Sequence, residues 1–463
     1  GGTSTMKIGI INSNILHRSG SGYRIDPDVH LSDGVQAREQ LAHSPYVLST
    51  VGENATQVFL GNIFSRIFVK DKEHGMPYLA ASDTVLANIE TGRFLSKKQA
   101  QTLKNLILKR DWILITCSGT LGNVTYTNKT FENHIATHDL IRVVPNDNKV
   151  NKGTLYAFLS GRYGYNQITQ SQFGGVVKHI NDEQTKAILV PVFPAAFQQE
   201  VDDLIQESAR LREEATDALD KAHTLLLSSF ENKDTNIKAV SIRKIYAAHN
   251  QRFEATYYSS SNRSIYDSII EKYEFLRLKD LCSSIFRPGI FKRQYVSEGG
   301  ITFLGGADIL NATPSSYKQL SKPQVKRMPV LMPTQGTILV TCGGTIGNTV
   351  YVDNQLAACA VSQHVMRLVP NGTVPNGYLY AFLSSDMGKK LINLFAFGSV
   401  IPQVEAHHLE LIPIPILEEE IMKCIDTLCM KYVSYNELAK EKERKAISMV
   451  EQEIESWTTS KKN

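Results

Sequence analysis

The apolar residues of this chain gather in short runs such as ILIT (113–116), IRVV (141–144), ILVT (338–341) and MRLV (366–369). Runs of this length, set between Gly, Asn and Pro, predict short buried strands. LYAFLS, at 155–160 and again at 379–384, predicts a short helix. After VPVFP (190–194) and IPIPI (412–416) the pattern changes to a helical period. Proline suits the first turn of a helix. One long helix is therefore expected from near Pro194 to about Phe230, and a second from about Glu418 to Trp457. Along the first, Val201, Leu204, Ser208, Leu211, Ala215, Ala218, Ala222 and Leu225 step alternately by three and four. Along the second, Ile421, Ile425, Leu428, Tyr432, Tyr435 and Ala439 do the same, Lys442 interrupts, and Ala446 and Met449 resume. Such seams predict helix pairing. The expectation is an antiparallel pair holding two globular parts apart; the competing one is that each helix packs on its own globular part.

The whole arrangement is written twice. ILITCSGTLGNVTY (Ile113–Tyr126) returns as ILVTCGGTIGNTVY (Ile338–Tyr351), 225 positions on (338 − 113). PYLAASD (77–83) faces TFLGGAD (302–308) and IRVVPN (141–146) faces MRLVPN (366–371) at the same offset. The two LYAFLS copies stand 224 apart (379 − 155), as do FGGVV (173–177) and FGSVI (397–401), while VPVFP and IPIPI stand 222 apart (412 − 190). The leaders RIDPDVH (24–30) and RFEATYY (252–258) agree loosely. A drift of a few residues is what insertions confined to loops produce. The fold class expected is α+β, a tandem duplication of a mixed α/β domain plus a long helix, the two helices forming an antiparallel coiled coil. The boundaries expected are 6–193 and 233–416 for the globular domains and 194–232 and 417–460 for the helices.

Length and composition agree with this plan. A chain of 463 residues has room for two to four domains. With 42% hydrophobic and 21% charged residues it reads as an ordinary globular protein, and a net charge of +4 permits a polyanionic partner without demanding one. The six cysteines form no C-x-x-C pair, which argues against zinc, and they read as reduced, mostly buried thiols of a cytoplasmic protein. No apolar run of membrane-spanning length and no signal peptide are found. GGTST before Met6 reads as an artificial leader.

The duplicated turn CSGTLGN invites a search for chemistry. It lacks the lysine and spacing of a Walker loop and the G-x-G-x-x-G of a dinucleotide site. Cys117 with His134 or His138 as base would make a nucleophilic dyad, but the second copy has Cys359 and Gln363 where those histidines stand. A buried strand-end thiol under a tight turn is the preferred reading. No adenine-methyltransferase signature, H-E-x-x-H, G-x-S-x-G or kinase set occurs. Asp83 and Asp308 read as turn or helix caps. Gly119, Gly122, Gly344 and Gly347 read as the residues that let the chain reverse.

Taken in order and repeated twice, the ILVTCGGTIGN turn, the RLVPN strand, the YLYAFLSS helix and the IPIP entry into a long helix resemble the specificity subunits of type I restriction–modification systems. The likeness extends from Arg24 to Trp457; RFEATYY resembles the family's opening, and RIDPDVH keeps only its first part. The resemblance implies two target recognition domains and two spacer helices in a non-catalytic subunit. It implies double-stranded DNA as ligand, each domain reading one half of a bipartite target. Two copies of an adenine-N6 methyltransferase, and restriction–translocation subunits, are the implied partners, in a phage-defence role. No cofactor is implied in this chain; S-adenosylmethionine would sit in the methyltransferase, and ATP with Mg in a restriction subunit. A helix of about 36 residues spans roughly 54 Å, enough to hold two readers about one DNA turn, about 34 Å, apart. Two other expectations compete: a DNA-binding scaffold of another defence system, and a fused stand-alone methyltransferase or nuclease.

Phosphate contacts call for Lys and Arg, and base readout for Arg, Lys, Asn, Gln, Ser and Thr. A basic cluster precedes the glycine-turn strand in both halves: Lys97, Lys98, Lys104, Lys109 and Arg110 in the first, Lys318, Lys322, Lys326 and Arg327 in the second. Ser118, Thr120 and Asn123 of the first turn, with Gly343, Thr345 and Asn348 of the second, are candidates to line a surface. Gln170, Ser171, Gln172 and Lys178 flank FGGVV, and Ser399 and Gln403 lie at FGSVI. Arg287, Lys292 and Arg293 are expected phosphate contacts with first-half relatives in Arg66, Lys70 and Lys72.

Overall fold

The computed structural model describes residues 33–118, 121–170, 179–230, 241–247, 257–258, 261–398 and 402–459. The RIDPDVH leader, the start of RFEATYY, Gly119, Thr120, Ser171, Gln172, Lys178 and Ser399 lie outside them. The chain divides into two compact units, Gly1–Glu213 with Leu438–Asn463, and Glu214–Glu437. Both divisions fall inside the long helices rather than at their ends. The helices run Ala195–Ser228 and Glu419–Thr459.

The first unit holds a four-stranded antiparallel sheet in the order Ala55–Phe59, Leu140–Pro145, Ile113–Thr116, Val124–Tyr126. All four residues of Ile113–Thr116 are buried. Ile113 and Ile115 point into the cluster made with the LYAFLS helix, while Leu114 joins Trp112 and Leu140 on the opposite face. A strand covered on both sides needs apolar residues at every position, so its sequence is a continuous run rather than an alternation. The second unit repeats this with Cys282–Phe286, Val365–Pro370, Ile338–Thr341 and Thr349–Tyr351. There Ile338 and Val340 face the LYAFLS helix and Leu339 the other cluster.

A second four-stranded sheet follows in each unit, with one parallel pair at its edge. Its order is Phe68–Val69, Phe94–Ser96, Gly75–Leu79, Ile135–Ala136 in the first unit and Tyr295–Val296, Gln319–Leu320, Ile301–Leu304, Ala360–Val361 in the second. A two-stranded pair, Leu48–Thr50 with Leu189–Pro191 and Phe275–Arg277 with Pro413–Pro415, leads into each long helix. The LYAFLS segments are helices, Lys152–Ser160 and Asn376–Ser384.

The long helices pack both on one another and on the globular cores, so the two expectations hold together. In the first unit Val201 and Ile205 share a cluster with Ala446, Val450, Ile454 and Trp457, and with the LYAFLS helix. Ser208 donates to the Ala439 carbonyl at 2.8 Å and Lys445 lies 4.0 Å from Glu200, an antiparallel register. In the second unit Leu219, Ala222 and Leu226 share a cluster with Met422, Ile425 and Cys429. The seam expected from the sequence is displaced by one position at several steps. Ile205 and Leu226 are buried where Leu204 and Leu225 are only partly covered, Leu219 is buried beside the expected Ala218, and Cys429 and Val450 are buried in place of Leu428 and Met449. Lys442 is not a seam residue. The seam position is Glu443, buried, accepting from Arg212 at 2.6 Å and from the Tyr156 hydroxyl.

Each LYAFLS helix is pinned to its long helix in the same way. The Gly153 amide donates to Asp202 and the Gly377 amide to Asp426, both at 2.7 Å. A Cβ at Gly377 would stand 2.9 Å from the Asp426 carbonyl oxygen, so only glycine permits this approach.

Candidate nucleic-acid interface

The glycine turn closes identically in both units. Gly122 donates to the Thr116 carbonyl and Gly347 to the Thr341 carbonyl, both at 3.0 Å, and the Asn123 and Asn348 amides reach the same threonine hydroxyls. Gly122, Gly344 and Gly347 have φ of 82°, 77° and 90°, the left-handed region that L side chains avoid. Their role is therefore conformational. Burial pushes the Cys117 thiol up to about 12, helped by the charge of Asp139, and it also raises Cys342. Neither is a poised nucleophile. Asp83 and Asp308 are turn caps, accepting from the Ala80 and Gly305 amides.

Two segments that the sequence treated separately meet here. Ser118 bridges to His179, just past FGGVV, and Gly343 bridges to Gln403, just past FGSVI. The Ile180 amide donates to the Cys117 carbonyl and the Val404 amide to the Cys342 carbonyl. Gln403 also exchanges two backbone hydrogen bonds with Phe397, at 2.8 and 2.9 Å. Thr345 is exposed beside this pairing, while Ser118, Asn123, Gly343, Asn348 and Gln403 are half-buried; Gln170 is buried.

The second sheet carries the basic clusters. Lys97 and Lys98 open the short helix Lys97–Ala100, and Lys322, Lys326 and Arg327 belong to Lys322–Arg327, each helix directly after an equivalent strand. These residues, with Lys104, Lys109, Lys292, Arg293 and Lys318, are exposed. Arg110 is directed elsewhere, 3.1 Å from Glu213 on the long helix. Arg287 is half-buried and pairs with Glu405 at 2.5 Å.

The expected kinship of Arg287, Lys292 and Arg293 with Arg66, Lys70 and Lys72 holds for one pair only. Strands Phe68–Val69 and Tyr295–Val296 occupy equivalent places at an offset of 227 (295 − 68). Arg293 therefore matches Arg66 (293 − 66), whereas Lys70 and Lys72 lie beyond the strand. The geometry agrees: Arg66 stands 5.8 Å from the Tyr78 ring and Arg293 5.3 Å from the Phe303 ring. Arg66 donates to Thr137, and Arg293 to Gln363, at 3.2 and 3.3 Å. His364, next to Gln363, accepts from the Cys342 amide, so one loop joins the basic sheet to the glycine turn.

Several residues of this surface escaped the sequence reading. Gln99 accepts from the Ile67 amide at 2.9 Å and donates to the Ser65 carbonyl. Gln324 accepts from the Gln294 amide at 2.8 Å and donates to the Lys292 carbonyl at 2.7 Å. The two occupy the same place at offset 225 (324 − 99), inside S-K-K-Q-A and S-K-P-Q-V, which was the available signal. Arg142 and Arg367 lie fully buried under the core sheet. Arg142 donates to the carbonyls of Leu140, Ala136 and Thr137, and Arg367 to those of Ser362, Val365, Val361 and Leu331. Burial lowers both to about 10, so both remain charged at neutral pH, held by carbonyl dipoles. Among the described residues no group of His, Cys, Asp and Glu could hold a metal ion, and no helix is long and apolar enough to cross a membrane.

The sequence profile of the type I restriction modification DNA specificity domain matches residues 56–208 and again residues 270–443, well over half of the chain. The chain belongs to this family. The matched domain is one of DNA specificity, and the duplication seen in the sequence is two copies of it. Among solved structures, the S subunit of a type I restriction-modification system from M. genitalium is 11% identical, with 89% of this chain and 96% of that one covered, at a TM-score of 0.34. The HsdS subunit from Thermoanaerobacter tengcongensis is 15% identical, with coverage of 89% and 97% and a TM-score of 0.28. No curated protein matches the chain in sequence.

Proposed function

We propose that this specificity chain reads a bipartite double-stranded DNA target, one half with each copy of its domain, and directs an adenine-N6 methyltransferase to it. The observation that carries the reading is the duplicated surface itself. Each specificity-domain copy presents a basic short helix after the same strand and the same glycine turn, and in the second copy one loop joins the basic sheet to that turn. Exposed lysine and arginine suit phosphates, and amide and hydroxyl side chains suit base edges. Lys97, Lys98, Lys104, Lys109, Lys292, Arg293, Lys318, Lys326 and Arg327 are the proposed phosphate contacts. Ser118, Thr120, Gln172, Lys178, Thr345 and Gln403 are the proposed contacts of the turn and loop. Arg110 and Arg287 would serve by positioning these elements, because each already has a carboxylate partner. The complex would contain two methyltransferase copies, with S-adenosylmethionine bound there, and would act in the cytoplasm, where restriction subunits using ATP and Mg would complete a phage-defence system. The long helices would set the number of unread base pairs between the two halves.

Methylation mapping tests this. The chain is expressed with the methyltransferase gene adjacent to its own in a methylation-free bacterial host, and N6-methyladenine is located by single-molecule sequencing. One motif of two short halves around a fixed gap is expected. Exchanging residues of one domain copy should change one half only. A soluble complex of both proteins that leaves the DNA unmethylated would overturn the reading.

A further inference from the structure

The clamped segment is itself repeated: I-F-S-R-I-F-V (63–69) and I-F-K-R-Q-Y-V (290–296), at an offset of 227 (290 − 63). Within each copy the side chains divide sharply. Phe64 packs with Tyr78, Leu95 and Leu106, and Phe291 with Phe303, Leu320 and Leu331. The preceding isoleucine points the other way: Ile63 is 86% exposed and Ile290 94% exposed. The segment is not loose. Gln99 and Gln324 hold its backbone by two hydrogen bonds each, and the Ser96 and Ser321 amides donate to the Ile67 and Gln294 carbonyls at 2.8 and 2.9 Å. The glutamines stand on the basic helices, so Lys97 and Lys98, or Lys322, Lys326 and Arg327, belong to the same rigid block as the isoleucine.

An isoleucine in water contributes nothing to folding, yet both copies hold one at the same rigid place. Its apolar area becomes favourable only when a ligand covers it. The charge of the same block selects the ligand: Lys97 and Lys98 in the first copy, and Lys292, Arg293, Lys322, Lys326 and Arg327 in the second, are exposed on the isoleucine's own segment or on the helix that holds it. Duplex DNA has the complementary build, with phosphates outside and apolar base surface within the groove. Inserted apolar side chains of this kind are used by DNA-binding proteins to contact and part stacked bases.

Resting on the DNA-recognition reading above, we propose that Ile63 and Ile290 enter the groove, one at each half of the target. Each makes apolar contact with the bases while the flanking cations hold the phosphates. The contact releases no counterions, so it adds affinity without adding salt dependence.

The test uses the full chain in complex with its methyltransferase subunit and duplex oligonucleotides carrying the mapped target. Ile63→Ala and Ile290→Ala, both at exposed positions, should fold normally. Each should weaken binding about tenfold with an unchanged salt slope. Each should also reduce discrimination against a duplex scrambled in one half only by up to the same factor of about ten, a different half for each variant. Ile290→Leu should restore most of the affinity. Wild-type affinity in both alanine variants, with the unmodified chain still binding its target specifically, overturns this inference and leaves the proposed function standing. Loss of the methyltransferase subunit instead of DNA also overturns it, making the tip a protein contact. A wild-type complex with no specific DNA binding defeats the proposed function and this inference together.

Discussion

The glutamine clamp offers a sharp test, because each domain copy controls for the other. Gln324 is 5% exposed and makes two hydrogen bonds to the segment that carries Ile290, accepting from the Gln294 amide at 2.8 Å and donating to the Lys292 carbonyl at 2.7 Å. A net contribution of about 1 kcal/mol per hydrogen bond gives about 2 kcal/mol for the pair. That is roughly a thirtyfold change in a local opening constant. The bonds reach only one segment, so the loss should appear as local opening rather than as unfolding of the unit. Gln324→Ala is therefore expected to speed hydrogen exchange of the Gln294 amide about thirtyfold, with the Ile67 amide in the other copy unchanged. Gln324→Glu keeps the acceptor, loses the donor and sets a carboxylate against a carbonyl, so its effect should be at least as large. Hydrogen exchange read by NMR or by mass spectrometry of short peptides measures this. Unchanged exchange at Gln294, or an equal rise across the whole unit, would refute the clamp.

Other expectations concern the frame beneath this surface. Arg367→Met leaves the carbonyls of Val361, Ser362 and Val365 without their donor and should destabilise the second unit by about 3–5 kcal/mol in denaturant unfolding; equal or greater stability would refute the account of the buried arginine. Gly377→Ala forces a Cβ against the Asp426 backbone and should cost about 1–3 kcal/mol, with Gly153→Ala doing the same in the first unit; a wild-type melting temperature would count against the close approach. His223 is held down at about 4, by burial first and then by Lys389, with Ser384 at 3.0 Å from its ring. A base whose folded value lies below its ordinary 6.5 gives stability that is complete above pH 6.5 and lost as pH falls toward 4. Moving from pH 7 to pH 5 should therefore destabilise the second unit by about 2 kcal/mol through this residue. His223→Gln should remove that part of the pH dependence, and an identical loss in the variant would exclude His223 as its source.

The sequence alone determined the duplication, the strands of the core sheet, the LYAFLS helices and the extent of both long helices. These features rest on local pattern. A strand buried on both faces needs an unbroken apolar run, a tight reversal needs glycine, and a helical seam needs residues three and four apart. Tertiary structure decided which buried position each seam used, because a helix covered on several sides has more than one apolar stripe. It placed Glu443 in the first unit's helix contact, since Arg212 and Tyr156 come from elsewhere in the chain to neutralise it. It also joined the glycine turn to the residues after FGGVV and FGSVI, a pairing across some sixty positions (179 − 118) that no local rule specifies. Only Arg66 and Arg293 proved to be kin, because the strands beside them set an offset of 227 (295 − 68) that leaves Lys70 and Lys72 beyond the matching segment. No local pattern marks Gln99 and Gln324, and only the fold brings the backbone of another segment within reach of their amides. The exposed isoleucines were invisible for the converse reason. In sequence they are indistinguishable from core residues, and only the direction of the chain at that point leaves them in water.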